Sequence, residues 1–229
     1  MPILPELTDP VREASAKQQR QIASVSARIA GSVAATALGL AGCSCGVDVA
    51  NRDSTGTAII CFGDSLTEGA GATAGHDYPS LLTKALGRDV INAGVSGNTT
   101  RDALQRLDRD VLARDPKLVI VEFGGNDFLQ HLPLEETFTN LELLVQRIQA
   151  QGAMVVLVGV SPGLLGDATR NDYQRIARAH RAVFVPDILG GIMTNPQFKS
   201  DELHPNDLGY ERIAQRLAKA VAPLLAPSR

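Results

Sequence analysis

Thr57-Ala58-Ile59-Ile60-Cys61-Phe62-Gly63-Asp64-Ser65-Leu66-Thr67-Glu68-Gly69 is the stretch from which the fold is read. Its small and apolar residues stop abruptly at Gly-Asp-Ser, and polar residues and glycines follow. A short apolar run bounded by turn formers is the pattern of a strand buried on both faces. Ser65 then falls in the turn just past the carboxyl end of that strand. Open α/β sheets bind ligands in the crevice outside those ends, so a serine there is placed as an exposed nucleophile. The same three residues also serve simply to stop a strand. The two readings part on whether the chain brings a base, a group to orient it, and donors for an oxyanion.

Downstream, strand and helix patterns alternate. The strand over 57–62 is followed by a short helix over 78–86, closed by Gly87. A second strand covers 89–92 and leads to Gly94. A helix beginning near Thr100 ends at Asp115-Pro116, and the third strand, 118–123, stops at Gly124-Gly125-Asn126-Asp127. A helix over 134–151, a strand over 154–160, a helix over 172–180 and a fifth strand over 182–185 come next. Residues 186–200 read as irregular, and a last helix runs from Asp207 to about Ala222, with Pro223 marking its end. This alternation predicts an α/β fold built of βαβ units, with a parallel sheet covered on both faces.

Composition narrows the function. With 229 residues, 44% of them hydrophobic, the chain has ample material for one core, and no second folded domain or repeat is visible. The net charge of −3 gives no basic footprint, so nucleic acid is not an expected partner. Three cysteines make no disulfide framework, and Cys61 reads as a small hydrophobe within its strand. No Cys/His cluster has metal-ligand spacing, so neither a metal nor another cofactor is expected.

Residues 1–56 read as a leader and linker ahead of a domain over 57–229. A basic flank precedes the apolar run Ile29-Ala30-Gly31-Ser32-Val33-Ala34-Ala35-Thr36-Ala37-Leu38-Gly39-Leu40, which is too short to span a bilayer. It ends in Leu40-Ala41-Gly42-Cys43, which resembles the bacterial lipobox. Cleavage before Cys43 and its acylation are expected, placing the protein in the periplasm or anchored at a membrane. The long, partly acidic flank before the run leaves a cytoplasmic protein with an Ala-rich helix as the alternative. Residues 46–56 are expected to be a polar linker.

In a parallel sheet the first three strands end on one edge, at Ser65, Gly94 and Asn126. The chain returns to the start of the last helix through Asp201-Glu202-Leu203-His204-Pro205-Asn206. A carboxylate three residues before an imidazole can reach its Nδ1–H and turn Nε2 toward a nucleophile. A serine hydroxyl needs such a base. The Ser65 and Gly94 N–H groups and the Asn126 amide are the right kinds of donor for an oxyanion. Taken singly, Gly94 and Asn126 also read as ordinary turn residues, and His204 as a histidine near a helix start. Separate turn roles do not explain why three strand ends and the loop before the last helix carry complementary groups.

Gly63-Asp64-Ser65-Leu66, Gly94, Gly124-Gly125-Asn126-Asp127 and Asp201-Glu202-Leu203-His204 resemble, in order, the four blocks of the GDSL-type, or SGNH, hydrolases. The resemblance covers about residues 57–222 and is closest to the small bacterial arylesterase, acyl-CoA thioesterase and lysophospholipase branch. It implies three layers, a five-stranded parallel sheet between helices, as in flavodoxin-like folds. It also implies a serine esterase with Ser65 as nucleophile, His204 as base, Asp201 as its orienter, and Ser65, Gly94 and Asn126 around the oxyanion. A small-molecule ester or thioester is the expected partner, and no protein partner is inferred. Phe128, Leu129 and Leu132 after the third strand, and Pro162, Leu164 and Leu165 after the fourth, are candidates for an acyl-chain site. A carbohydrate O-acetyl esterase and a non-catalytic binding protein on the same fold are the alternatives. The glycines of 69–75 lack the spacing of a dinucleotide fingerprint.

Overall fold

The computed structural model describes residues 48–160 and 166–226. The chain divides into two compact units, Met1–Gly46 and Val47–Arg229, and every element below belongs to the second. Cys43, Pro162, Leu164 and Leu165, singled out above, lie outside the described residues.

Five strands, β1 (Ala58–Gly63), β2 (Val90–Gly94), β3 (Pro116–Glu122), β4 (Met154–Val158) and β5 (Val183–Val185), form one sheet in the order β2-β1-β3-β4-β5. All neighbouring pairs are parallel. The helices are α1 (Ser65–Glu68), α2 (Tyr78–Leu86), α3 (Thr100–Asp110), α4 (Gly125–Leu129), α5 (Leu134–Ala150), α6 (Gly166–Ala179) and α7 (Asp207–Leu225). Side chains alternate across each strand, which produces two cores. On one face Ile59, Cys61, Leu118, Ile120 and Val156 pack against Tyr78 and Leu82 of α2 and Tyr210, Ile213 and Leu217 of α7. On the other, Ile60, Phe62, Val119, Val121 and Leu157 meet Leu107 of α3, Leu141 and Ile148 of α5, and Ile176 of α6. Each fully buried Leu or Ile contributes about 1.5–3 kcal/mol, which is why the central strands carry apolar runs over 59–62, 118–121 and 154–158. The fold is the expected three-layer α/β/α sandwich.

Local chemistry sets the helix ends. Asp77 caps α2 by accepting the Ser80 N–H, and Gly87 ends it in the left-handed region at φ 60°. Thr99 and Asp102 form a reciprocal capping box at the start of α3. Asn206 caps α7. The last of these fixes where the loop carrying His204 must stop.

Some boundaries differ from expectation. α6 begins at Gly166, six residues before the expected start, because Gly-Asp-Ala-Thr-Arg-Asn offers little apolar periodicity to read. β4 closes at Val158, where its pairing with the short β5 runs out at Val185. α7 continues through Pro223 to Leu225. The Arg52 guanidinium donates to the carbonyls of Pro223 and Leu224, supplying the partners that the end of a helix lacks. Residues 48–56 are likewise no free linker. Val49 and Ala50 are buried, the Ala50 N–H donates to Arg181 O (2.9 Å), and Asn51 Nδ2 donates to Gln149 O (2.8 Å) and Ala153 O (2.9 Å). Arg181 and Ala153 lie just before β5 and β4, so this segment docks along the amino edge of the sheet.

Strand order reverses at β1: the chain moves to β2 on one side, then crosses to β3 on the other. The crevice beyond the carboxyl ends of β1 and β3 is therefore the topological switch point. α1 follows β1 there, and α4 follows β3.

Candidate active site

β1 ends at Gly63, where a Cβ would stand 2.6 Å from Glu122 Oε2 and closer still to Thr67 Oγ1. Any larger residue here would force Thr67 or Glu122 to shift. Asp64 caps α1, its Oδ1 accepting the Leu66 N–H (3.0 Å), and Ser65 takes the first helical position. The Ser65 N–H is thus among the helix donors left without an intrahelical partner.

The partners of Ser65 come from the loop before α7. Asp201 Oδ1 accepts the N–H groups of Leu203 (2.7 Å) and His204 (2.8 Å), folding the loop onto its own carboxylate. His204 Nδ1 lies 2.9 Å from Asp201 Oδ2, and Nε2 lies 3.2 Å from Ser65 Oγ. A carboxylate only accepts, so Nδ1 carries the proton and Nε2 presents a lone pair to the serine hydroxyl. The hydrogen bond from His204, and then the Leu203 N–H, hold Asp201 down to about 2, so it stays ionised. The sequence spacing therefore brings Ser65, His204 and Asp201 into one hydrogen-bonded chain.

Asn126, on α4, donates through Nδ2 to Asp64 Oδ2 (3.0 Å) and Asn98 O (3.0 Å). Both amide protons are engaged, and the contact ties the ends of β1 and β3 together. Gly94 does not fit the donor role expected of it. Its N–H donates to Asn92 Oδ1 (2.9 Å), and a Cβ there would stand 2.1 Å from the Glu68 N. Close approach of β2 to α1 explains this glycine. A nearby amide that the sequence did not single out is that of Gly97, at φ 80° and with open space where a Cβ would be. Its N–H finds no hydrogen-bond partner among the described residues. Its carbonyl accepts from Gln130 Nε2 (3.4 Å), and the next carbonyl, that of Asn98, is the one that holds Asn126. Ser96-Gly97-Asn98 reads as a turn, but a lone sequence does not say which of two nearby glycines leaves its N–H free.

Two acids lie beneath these groups. Glu122, at the end of β3, is fully buried, and its Oε2 accepts from Thr67 Oγ1 (2.8 Å). Burial, then the nearby Asp64, push Glu122 well above the usual carboxyl range. Burial also raises Asp64 to about 6. Among the described residues no group of three or more His, Cys, Asp and Glu could hold a metal ion.

A small cleft of about 100 Å³ opens over Ser65 and His204, lined also by Leu66, Asn126, Leu129, Val160, Leu189 and Leu203. Leu129 is thus at the cleft as expected, whereas Phe128 and Leu132 are half-buried and outside its lining. Leu189 and Leu203 were not foreseen. Both come from loops with no periodicity, and only the folded path brings them beside Ser65.

Residues 61–212 match the model of the GDSL-like Lipase/Acylhydrolase family. The chain is similar to an arylesterase of Vibrio mimicus, 32% identical over 172 residues, covering 70% of this chain and 86% of that protein. It is also similar to the thioesterase, protease and lysophospholipase of Escherichia coli (strain K12), 29% identical over 182 residues, 76% of this chain and 88% of that one. Among solved structures, the esterase EstA from Pseudoalteromonas sp., inhibited by monoethylphosphonate, superposes with a TM-score of 0.65 at 27% identity, covering 74% of this chain and 98% of that one. Fold, site geometry and matched span agree: the chain belongs to the GDSL-like lipase/acylhydrolase family, the SGNH esterases.

Proposed function

We propose that this esterase transfers an acyl group from a carboxylic ester or thioester to Ser65 and then to water. The observation that carries this reading is the unbroken chain Asp201–His204–Ser65 over an apolar cleft. Nε2 of His204 takes the hydroxyl proton as Oγ attacks the acyl carbon, then delivers it to the departing alcohol or thiol. Asp201 keeps the imidazole in the required tautomer and balances its transient charge. In the second half His204 deprotonates water, which displaces Ser65 from the acyl-enzyme.

The developing oxyanion is stabilised by the Ser65 N–H and the Asn126 amide, with the Gly97 N–H as third donor in place of Gly94. Asn126 must share one of its engaged protons for this, and the Asn98 carbonyl is the acceptor that it can relax. Leu129, Leu189 and Leu203 around the cleft favour an apolar acyl group, short to medium in length, over a sugar, which would want aromatic faces and more polar partners. The names of the relatives support aryl esters, acyl thioesters and lysophospholipids as the class to test. Ser65→Ala should abolish turnover of p-nitrophenyl esters while leaving the fold intact. A chain-length series run beside an acyl-CoA and an acetylated sugar divides the classes. Fastest turnover of the sugar would favour the O-acetyl esterase instead.

No described helix is long and apolar enough to cross a membrane. Attachment through an acylated Cys43 remains our proposal for localisation, resting on Leu40-Ala41-Gly42-Cys43. Mass spectrometry of the mature N-terminus tests it, and an unmodified chain retaining residues 1–42 in cells would overturn it.

A further inference from the structure

Arg106 takes no part in the reaction drawn above, yet its side chain is spent entirely on the frame of the site. It lies on α3, only 8% exposed, with Nη1 3.1 Å from Asp110 Oδ2 one turn on. Its remaining bonds go to three separate places in the chain, the ends of β1 and β2 and the turn at Asn98. Nη2 donates to Gly63 O (2.7 Å), Nη1 to Ala93 O (2.9 Å) and Nε to Asn98 Oδ1 (2.6 Å). The guanidinium also lies 4.4 Å from the centroid of the Phe62 ring and 5.6 Å from that of Phe123. Gly63 is the last residue before the Asp64-Ser65 turn, and Ala93 is near the end of β2. Asn98 follows Gly97, and its carbonyl holds Asn126.

A cation in this position is costly, and an aliphatic side chain would fill the space beside the two phenylalanine rings without desolvating a charge. What an aliphatic chain lacks is a planar fork with donors at fixed angles. We propose that Arg106 is a positioning residue for oxyanion binding: its guanidinium staples the ends of β1 and β2 to the turn of Gly97 and Asn98, fixing the donors that face the acyl oxygen. The inference rests on the assignment of Ser65 and Asn126 made above. Lysine in this position keeps the charge and the pairing with Asp110 but has no fork to hold three acceptors in register. Asn98 is coupled on both sides, through its side chain to Arg106 and through its carbonyl to Asn126.

The test compares Arg106→Lys, Asn98→Ala, Asn98→Asp and the control Arg109→Lys. Turnover of a p-nitrophenyl ester is normalised to sites titrated to completion by an organophosphonate, with thermal midpoints measured alongside. Arg106→Lys should lower kcat per titrated site by about 10- to 100-fold, somewhat less than outright loss of an oxyanion donor, with KM within about twofold. Asn98→Ala should shift kcat in the same direction, and Asn98→Asp, which keeps an acceptor for Nε, should recover most of it. Arg109 is exposed and among the described residues pairs with Asp110 alone, so Arg109→Lys should leave kcat unchanged. Wild-type kcat per titrated site in Arg106→Lys would overturn the proposal. So would a loss accounted for wholly by fewer titratable sites. If Arg106→Lys does not fold, the Asn98 pair decides, and equal kcat in Asn98→Ala and Asn98→Asp would contradict the staple. Persistent turnover in Ser65→Ala would instead overturn the site assignment on which the role of Arg106 rests, an outcome distinct from wild-type kcat in Arg106→Lys.

Discussion

Ser65, His204 and Asp201 meet through adjacent hydrogen bonds, so each is expected to fail in its own way when replaced. His204→Ala removes the imidazole that contacts Ser65, the proposed base, and should suppress turnover nearly as far as Ser65→Ala. Asp201→Asn should hurt less if other contacts keep the imidazole in place. Asn126→Ala should lower kcat by roughly 10²- to 10³-fold with little change in KM, because its amide is proposed to serve the oxyanion more than the ground-state carbonyl. Turnover should fall on acidification, since only neutral imidazole accepts the serine proton. Asp201, held at about 2, does not set that limb. Asp64 has the opposite sign. Burial raises it to about 6 from an ordinary value near 3.8, so the folded protein binds its proton more tightly than the unfolded chain. Stability from this group is full below the ordinary value and is lost as pH rises through about 6. The thermal midpoint should therefore be higher at pH 5 than at pH 7, even as activity declines. Equal midpoints, or a higher one at pH 7, would mean that Asp64 is not buried as a costly charge.

At the scale of elements, tight approaches govern what the sequence tolerates. Gly94→Ala should lower stability, by about 1–3 kcal/mol as overpacking does, because its Cβ meets the backbone of α1. The segment over 48–56 gives a second test. A chain beginning at Thr57 should melt below one beginning at Asp48, since it lacks buried Val49 and Ala50 and the Asn51 and Arg52 contacts. Leu129→Trp should shift preference toward shorter acyl groups, with about 1 kcal/mol or more of discrimination per excluded methylene. A chain-length profile that does not move would remove Leu129 from the acyl site. These elements also show what sequence could and could not supply. The apolar runs of β1, β3 and β4 and the end of α2 at Gly87 are local, and they were legible. The extension of α7 past Pro223 depends on Arg52, far away in the chain, and no local pattern reports it.

For the whole molecule, the argument from strand ends carried furthest. Parallel strands bring their carboxyl ends to one edge whatever the loop lengths, so Ser65 and Asn126 had to be neighbours of some kind. The short span from Asp201 to His204 then made the imidazole's orientation readable before any coordinates. The engagement of the Gly94 N–H by Asn92 was not readable, because it depends on the direction of single N–H bonds within a turn. Neither was the cleft wall, which Leu189 and Leu203 complete from irregular segments. Ser65 is the residue proposed to carry the acyl group. The most direct measurement is the intact mass and peptide map of protein treated with an organophosphonate. One adduct per chain, located on Ser65, slowed in His204→Ala and absent in Ser65→Ala, is the predicted result. An adduct on any other residue, or an unlabelled wild-type protein that still turns over esters, would contradict it.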